Sequence, residues 1–420
     1  HYEFTAPSMV NCYIKFNWTI IMNQTNHNQP DKNNYPLNCI YFYLTEGCNF
    51  ACRHCWIAPK FETGKPTHPT LRLDLFRSII AQAKPLGLTG VKLTGGEPLM
   101  HPDIYDIIKH IHAEDLRLTI ETNGILCTAT LAREIARGKK PFVSVSLDAA
   151  SAEVHEWVRG VAGSFEAAKD GVKHLVAAGL RPQVIMSVMR RNKDQIEAVV
   201  RLAESLGAGS VKFNIVQPTA RGEKMHEDGE TLGIEELVAL GAWVENTLSA
   251  STNLRLVYSH PAAFKPLGKI FSDNGGGCGV CGILGILGVI ASGSYALCGI
   301  GETTPALIFG HATQKSLKDV WDNTAVLQEL RNGFPLRLKG VCGDCVMKNR
   351  CLGSCVAQNY YSEKDLWAPF WYCKEAHAYG LFPASRHIEG GGKRPSVLKG
   401  RRFTAEGAED AEKLREGEGA

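Results

Sequence analysis

Three cysteines stand within ten residues, Gly47-Cys48-Asn49-Phe50-Ala51-Cys52-Arg53-His54-Cys55-Trp56, spaced C-x3-C-x2-C. Three thiolates on one tight loop can hold three irons of a [4Fe–4S] cluster. The fourth iron then has no protein ligand, which is what a reactive cofactor needs. The same spacing also suits a three-ligand zinc site, a redox pair, or cysteines that only pack. The residues before the loop, Ile40-Tyr41-Phe42-Tyr43-Leu44-Thr45, are aromatic and branched and predict a strand. Further on, Gly95-Gly96-Glu97-Pro98 follows a second apolar strand, Val91-Lys92-Leu93-Thr94. Paired glycines let backbone approach a ligand closely, and a glutamate can accept from an ammonium group. Alone this would be an ordinary turn; here both motifs end consecutive strands with a helix between them.

The elements that position these motifs follow from length and pattern. A chain of 420 residues can bury a large core and is expected to form two domains. From Leu37 to about Tyr258 strands and helices alternate, which argues for parallel α/β packing. Strands are expected at 40–45, 90–94, 116–121, 142–148, 182–189 and 211–216. Helices are expected at 73–86, 103–113, 128–137, 165–178, 193–206 and 235–249, with Asn192 capping the fifth. Six βα units fall short of the eight that close a barrel. Residues 1–36 form a polar, Asn-rich extension; Met22 is a plausible start, so the first 21 residues need not be native.

With these residues in view, the chain resembles the radical S-adenosylmethionine superfamily. The match is C-x3-C-x-aromatic-C, with His54 as the aromatic, together with Gly-Gly-Glu-Pro ending the second strand. The resemblance implies an open, partial (β/α)6 barrel over 37–260, with cofactor at the strands' C-terminal ends. It also implies cofactor roles for His54, packed near the adenine, and for Gly95, Gly96 and Glu97, the last accepting from the cofactor ammonium. Ser146 and Asp148 fall where the family often binds the ribose or methionine part, and Arg159 where related enzymes pair an arginine with the cofactor carboxylate. Each has a plainer reading: strand-end hydroxyl, helix cap, surface cation. Cys39 and Cys127 read as small buried hydrophobes.

After residue 264 the texture changes. Eight cysteines lie between positions 278 and 373, including Cys342-x2-Cys345-x5-Cys351-x3-Cys355. Two four-thiolate sets suit zinc as well as iron–sulfur clusters. The spacing resembles the SPASM domain, placed at 264–380. The resemblance implies one auxiliary cluster on Cys278, Cys281, Cys298 and Cys355 and another on Cys342, Cys345, Cys351 and Cys373. Three [4Fe–4S] clusters and S-adenosylmethionine are therefore the implied cofactors. Trp367, Phe370, Trp371 and Tyr372 either pave a substrate entry or form the core of this cap. The tail, 389–420, is Gly-, Glu- and Arg-rich and is expected to be disordered.

A net charge of +3 gives no reason to expect nucleic acid or an anionic membrane as partner. No apolar run approaches the ~20 residues a spanning helix needs. Cysteines grouped at metal spacings in a chain this long fit a reducing cytoplasm. The resemblance implies a peptide or protein substrate and a flavodoxin- or ferredoxin-type electron donor. The expected reaction is hydrogen abstraction from a side chain by a radical made from S-adenosylmethionine. Thioether or carbon–carbon crosslinking of a ribosomal peptide is the first reading. Formylglycine formation and tetrapyrrole side-chain modification are the alternatives, and a pure electron carrier leaves the Gly-Gly-Glu-Pro turn unexplained.

Overall fold

In the computed structural model, residues 35–271 and 281–388 are described. Seven parallel strands follow one another in chain order: β1 (Cys39–Tyr43), β2 (Gly90–Thr94), β3 (Arg117–Thr122), β4 (Lys139–Ser146), β5 (Gln183–Val188), β6 (Ser210–Ile215) and β7 (Arg255–Tyr258). On the other side of β1 lie β8 (Ile286–Val289), β9 (Ser294–Ala296) and β10 (Ile308–His311). The sheet order is β10-β9-β8-β1-β2-β3-β4-β5-β6-β7, with β8 parallel to β1 and the last two strands antiparallel. Residues that the sequence places in the C-terminal domain thus extend the barrel's own sheet.

Alternation decides which face is which. Ile40, Phe42, Val91, Leu93, Leu118, Ile120, Val143 and Val145 point outward and are buried against the helices. The helix Ile104–Ala113 supplies Ile107, Ile108 and Ile111, all with no exposed surface. Full burial of each such side chain stabilises by about 1.5–3 kcal/mol. The opposite, concave face is polar: Lys92, Glu121, Ser146, Lys212 and Asn214 keep partial exposure there. This is a partial barrel whose lumen can admit a polar substrate.

Several local expectations need correction. The first helix is α only over Leu73–Ala83 and tightens to a 3-10 turn at Lys84–Leu86, where Pro85 lacks the N–H that would continue it. Asn192 does not cap the helix Ile196–Ser205. It is fully buried, donates to the carbonyls of Asp148 and Ser187 at 2.8 and 2.9 Å, and accepts from Met189 N–H at 2.8 Å. It therefore ties the ends of β4 and β5 together. The strand β7 and the helices Ala152–Arg159 and Arg221–Glu227 were not expected; all are short. No helix among the described residues is long and apolar enough to cross a membrane.

Candidate functional site

The three-cysteine loop lies across the C-terminal rim of the barrel and is held there by backbone. Ala51 N–H donates to Arg159 C=O at 3.2 Å, Arg53 N–H to Val158 C=O at 3.0 Å, and Glu97 N–H to Gly47 C=O at 3.1 Å. Arg221 adds a clamp that sequence reasoning missed, donating to the carbonyls of Cys52 (3.1 Å) and Pro59 (2.6 Å). Cys48 and Cys52 are buried with Phe50 in one small cluster, and Cys55, Ile125 and Val161 pack against it. Burial, then Glu97 and the neighbouring thiols, push the Cys48 thiol well up, so binding a thiophilic group must displace protons.

The two glycines serve the loop more directly than they serve a ligand. A Cβ on Gly96 would stand 1.9 Å from the Gly47 carbonyl oxygen. Gly95 adopts φ +129°, and a Cβ there would meet backbone of Tyr43, Leu44 and Thr45. Both positions let the second strand's turn press against the first strand and the cysteine loop. Glu97 braces this turn. It is 1 % exposed, and its carboxylate accepts from Thr122 Oγ1 at 2.6 Å, Asn123 N–H at 2.8 Å and Leu99 N–H at 3.0 Å. Burial outweighs these bonds and moves its pKa up to about 7. Two of the three donors go to Oε1 and one to Oε2, so the carboxylate keeps acceptor capacity on Oε2.

Asp148 and Arg159 also pair with each other before anything else. Asp148 closes the stretch after β4, and Arg159 ends the helix Ala152–Arg159, which Gly160 terminates at φ +72°. Nε of Arg159 lies 2.6 Å from Oδ2 of Asp148, and Nη1 donates to Cys52 Sγ at 3.4 Å. Burial alone would raise the Asp148 carboxyl, but Arg159, with His54 and His155, holds it below the usual carboxylate range. Burial likewise opposes the Arg159 charge, and Asp148 and Cys52 more than offset it. His54 lies near both, its imidazole pushed down to about 4 by burial.

The Arg159–Asp148 approach is close but not aligned as a hydrogen bond. Arg159 Nε, Asp148 Oδ2 and His54 Nδ1 are all buried polar atoms without a hydrogen-bond partner. Such atoms beside the three-cysteine loop fit a polar ligand held there. Ser146 stands in register with Ile185 at the end of β4.

The C-terminal thiols fall into two groups. Cys342, Cys345, Cys351 and Cys373 line one recess with Pro261, Ala263 and Phe382. Cys281 and Cys298 instead share their surroundings with Cys355, and burial pushes the Cys298 thiol up to about 12. Three consecutive left-handed residues, Leu352, Gly353 and Ser354, separate Cys351 from Cys355 and turn them toward different groups. Cys278 lies outside the described residues. No three His, Cys, Asp or Glu side chains among the described residues converge closely enough for one metal ion. Trp367, Phe370 and Tyr372 are buried and form cap core, while Trp371 is half-buried and donates to Gln217 Oε1 at 3.0 Å.

Residues 42–203 match the Radical SAM superfamily. The chain is 28 % identical over 342 residues to the AdoMet-dependent heme synthase of Methanosarcina barkeri, covering 80 % of this chain and 95 % of that protein. It is 27 % identical over 355 residues to the mycofactocin maturase MftC of Mycobacterium tuberculosis, covering 83 % and 86 %. Streptococcus suis SuiB bound to precursor peptide SuiA shares the fold, with a TM-score of 0.62, 18 % identity and coverage of 81 % and 76 %. Fold, loop and relatives agree on a Radical SAM superfamily domain at residues 42–203. That domain implies a [4Fe–4S] cluster and S-adenosylmethionine as cofactors.

Proposed function

We propose that this enzyme matures a peptide by abstracting one hydrogen atom from a side chain and closing a thioether or carbon–carbon crosslink, the second hydrogen leaving as a proton and its electron passing to a cluster that the C-terminal thiols would hold. The observation that carries this reading is the meeting, on one rim, of the three-thiol loop, a polar lumen and a thiol-bearing cap. The peptide substrate is supported by relatives and fold neighbours named for peptide maturation.

Cys48, Cys52 and Cys55 would hold the reactive cluster on the barrel rim. A [4Fe–4S] cluster held there would supply the one-electron reduction of S-adenosylmethionine on which hydrogen abstraction depends. Gly95 and Gly96 shape the turn beneath the loop, and Glu97 holds that turn rigid. His54 and the Asp148–Arg159 ion pair would orient the cofactor, with Ser146 at the neighbouring strand end. Cys278, Cys281, Cys298 and Cys355 would carry one auxiliary cluster, and Cys342, Cys345, Cys351 and Cys373 another. A flavodoxin- or ferredoxin-type protein would deliver the electron. The walls of the lumen fix the target carbon and keep out stray hydrogen donors.

The test uses full-length protein reconstituted anaerobically with iron and sulfide, which should hold about 12 iron and 12 sulfide per chain from three four-iron clusters. Short peptides encoded beside the gene should then stimulate 5′-deoxyadenosine formation and lose hydrogen by mass spectrometry. Stoichiometric zinc with only about four iron overturns the auxiliary-cluster assignment. Stimulation by a tetrapyrrole, with none by any peptide, overturns the substrate class.

A further inference from the structure

Arg221 reaches the three-cysteine loop from a turn whose geometry suits glycine but whose residue is alanine. Gly222 N–H donates to Thr219 C=O at 3.0 Å, closing a four-residue turn around Ala220 and Arg221. Ala220 takes the first central position at φ 51° and ψ −123°. That is the conformation of a type II′ turn, which glycine ordinarily supplies. A side chain there is strained, so contacts outside the turn must hold it. The segment is also tightly folded: a Cβ on Gly222 would stand 2.2 Å from the Gln217 carbonyl oxygen. From this turn Arg221 makes three bonds to the loop. Its backbone N–H donates to Cys55 C=O at 3.3 Å, and its guanidinium donates to the carbonyls of Cys52 and Pro59.

The hold on the turn comes from the cap. Tyr361 Oη accepts from Ala220 N–H at 3.4 Å and donates to Glu223 Oε2 at 3.0 Å. One hydroxyl thus grips both the strained residue and the helix Arg221–Glu227 that follows it. Trp371 Nε1 donates to Gln217 Oε1 at 3.0 Å, and its ring meets that of His226 edge-on, with centroids 5.7 Å apart. The two aromatics stand on different helices. Cys355 immediately precedes the helix Val356–Glu363 that carries Tyr361, and Cys373 lies on the helix Trp371–Ala378. Each of the two C-terminal thiol groups therefore has an aromatic neighbour in the chain that reaches the same segment.

We infer that Tyr361 and Trp371 are positioning residues for the three-cysteine loop, acting through the Gln217–Glu223 segment and Arg221. The inference rests on the reading that Cys48, Cys52 and Cys55 hold the reactive cluster. The cap then does more than stand over the barrel: its two helices set the clamp that keeps the loop closed on what it binds. A glycine at position 220 would keep the turn by itself. Alanine makes the clamp conditional on the cap's grip.

The test follows iron loss from the reconstituted full-length enzyme under excess chelator. The rim phase is the one missing from the variant with Cys48, Cys52 and Cys55 all changed to Ala. Tyr361→Phe keeps the ring and loses only the hydroxyl. It should release rim iron about three- to tenfold faster, the scale of one hydrogen bond, with the cap phases unchanged. Trp371→Phe, which loses the indole N–H, should speed the same phase. Arg221→Gln should speed it further, and adding Tyr361→Phe to that variant should change nothing more, because the two act in series. If Arg221→Gln retains no rim iron, the cycle is run with Arg221→Lys. Ala220→Gly should restore slow release in the Tyr361→Phe background, because glycine holds the turn unaided. A Tyr361 that only packs would give equal increments in both backgrounds and no rescue by glycine. Unchanged rim release in Tyr361→Phe, additivity with the Arg221 variant, or failure of Ala220→Gly to rescue overturns the inference. A triple-cysteine variant with the iron content of wild type overturns the cluster reading itself, a result that no change at Tyr361 can mimic.

Discussion

The two cysteine-rich regions are held by different means. The loop carrying Cys48, Cys52 and Cys55 is clamped by the barrel: backbone bonds to Val158 and Arg159 at a helix end and to Glu97 after β2, and the Arg221 side chain at the start of another helix. In the cap, Cys342, Cys351 and Cys373 stand on helices of four, four and eight residues, and the thiols themselves make much of the recess wall. Helices that short have little stability of their own. The first site is shaped by the fold, whereas the second has little besides its thiols to shape it; under the proposed cluster assignment, loading and folding should be coupled in the cap and nearly independent on the rim.

The strongest way to break this comparison is to remove the rim thiols. Changing Cys48, Cys52 and Cys55 together to Ala should abolish 5′-deoxyadenosine formation, while circular dichroism and the cap's iron signals stay unchanged. A fold lost along with the activity would mean the rim site also needs its metal. Removing Cys373 should do the opposite. Cys373→Ala should drop iron by about four per chain and loosen the cap, read as faster proteolysis beyond residue 340, with some cofactor cleavage surviving. A cap as resistant to protease as wild type would show that its packing stands without the thiols.

Gly96→Ala sharpens the same contrast from the barrel side. The added methyl must push against the Gly47 carbonyl 1.9 Å away. The expected cost is about 1–3 kcal/mol, with cofactor cleavage falling because the loop is displaced. Gly64→Ala is the control: its φ is +79° but nothing lies near its Cβ, so about 1 kcal/mol or less is expected. Equal melting points for the two variants would refute the close-packing account.

The smallest effect concerns acid stability behind the cap. Glu245 accepts charge from Lys269 (2.9 Å), Lys265 (3.7 Å) and His260 (3.4 Å). Burial would raise its carboxyl, but His260, Lys269 and Lys265 pull it down to about 2. Burial also lowers His260, against the pull of Glu245. A carboxyl depressed in the fold stabilises above its unfolded value and loses that stabilisation as pH falls toward 2. A depressed histidine likewise favours the unfolded, protonated chain below about pH 6.5. Both slopes point the same way, so stability should fall steadily on acidification. Lys269 is largely open to solvent, so the Glu245 share is on the order of 1–2 kcal/mol, screened by salt. Urea titrations from pH 7 to 4 should show the decline, and Glu245→Gln should flatten its lower part. A chain more stable at pH 4 than at pH 7 would contradict it.

What could be read from sequence was what is contiguous in sequence. The Cys48–Cys55 loop and the Gly95–Pro98 turn each gather their residues within a few positions, and strand alternation exposed the convex core. Arg221, Asn192 and the Tyr361–Ala220 contact were missed because each acts between segments far apart in the chain. Their trace was faint: a lone polar or aromatic side chain near a helix end, which reads equally as solvated surface. The bonds from Thr122 and Asn123 to Glu97 were likewise illegible, because a glutamate beside glycines says nothing of the next strand. β7 escaped because four residues carry too little pattern.

The seat of β8 beside β1 has a consequence for how the chain is born. β1 is made early, yet its neighbour on one side is synthesised some 240 residues later. Until that stretch leaves the ribosome, the nascent barrel carries a bare, apolar strand edge, a template for unwanted pairing with other chains. Such distant pairing is also slow to form. A fragment ending before residue 286 should therefore aggregate rather than accumulate as a free-standing barrel.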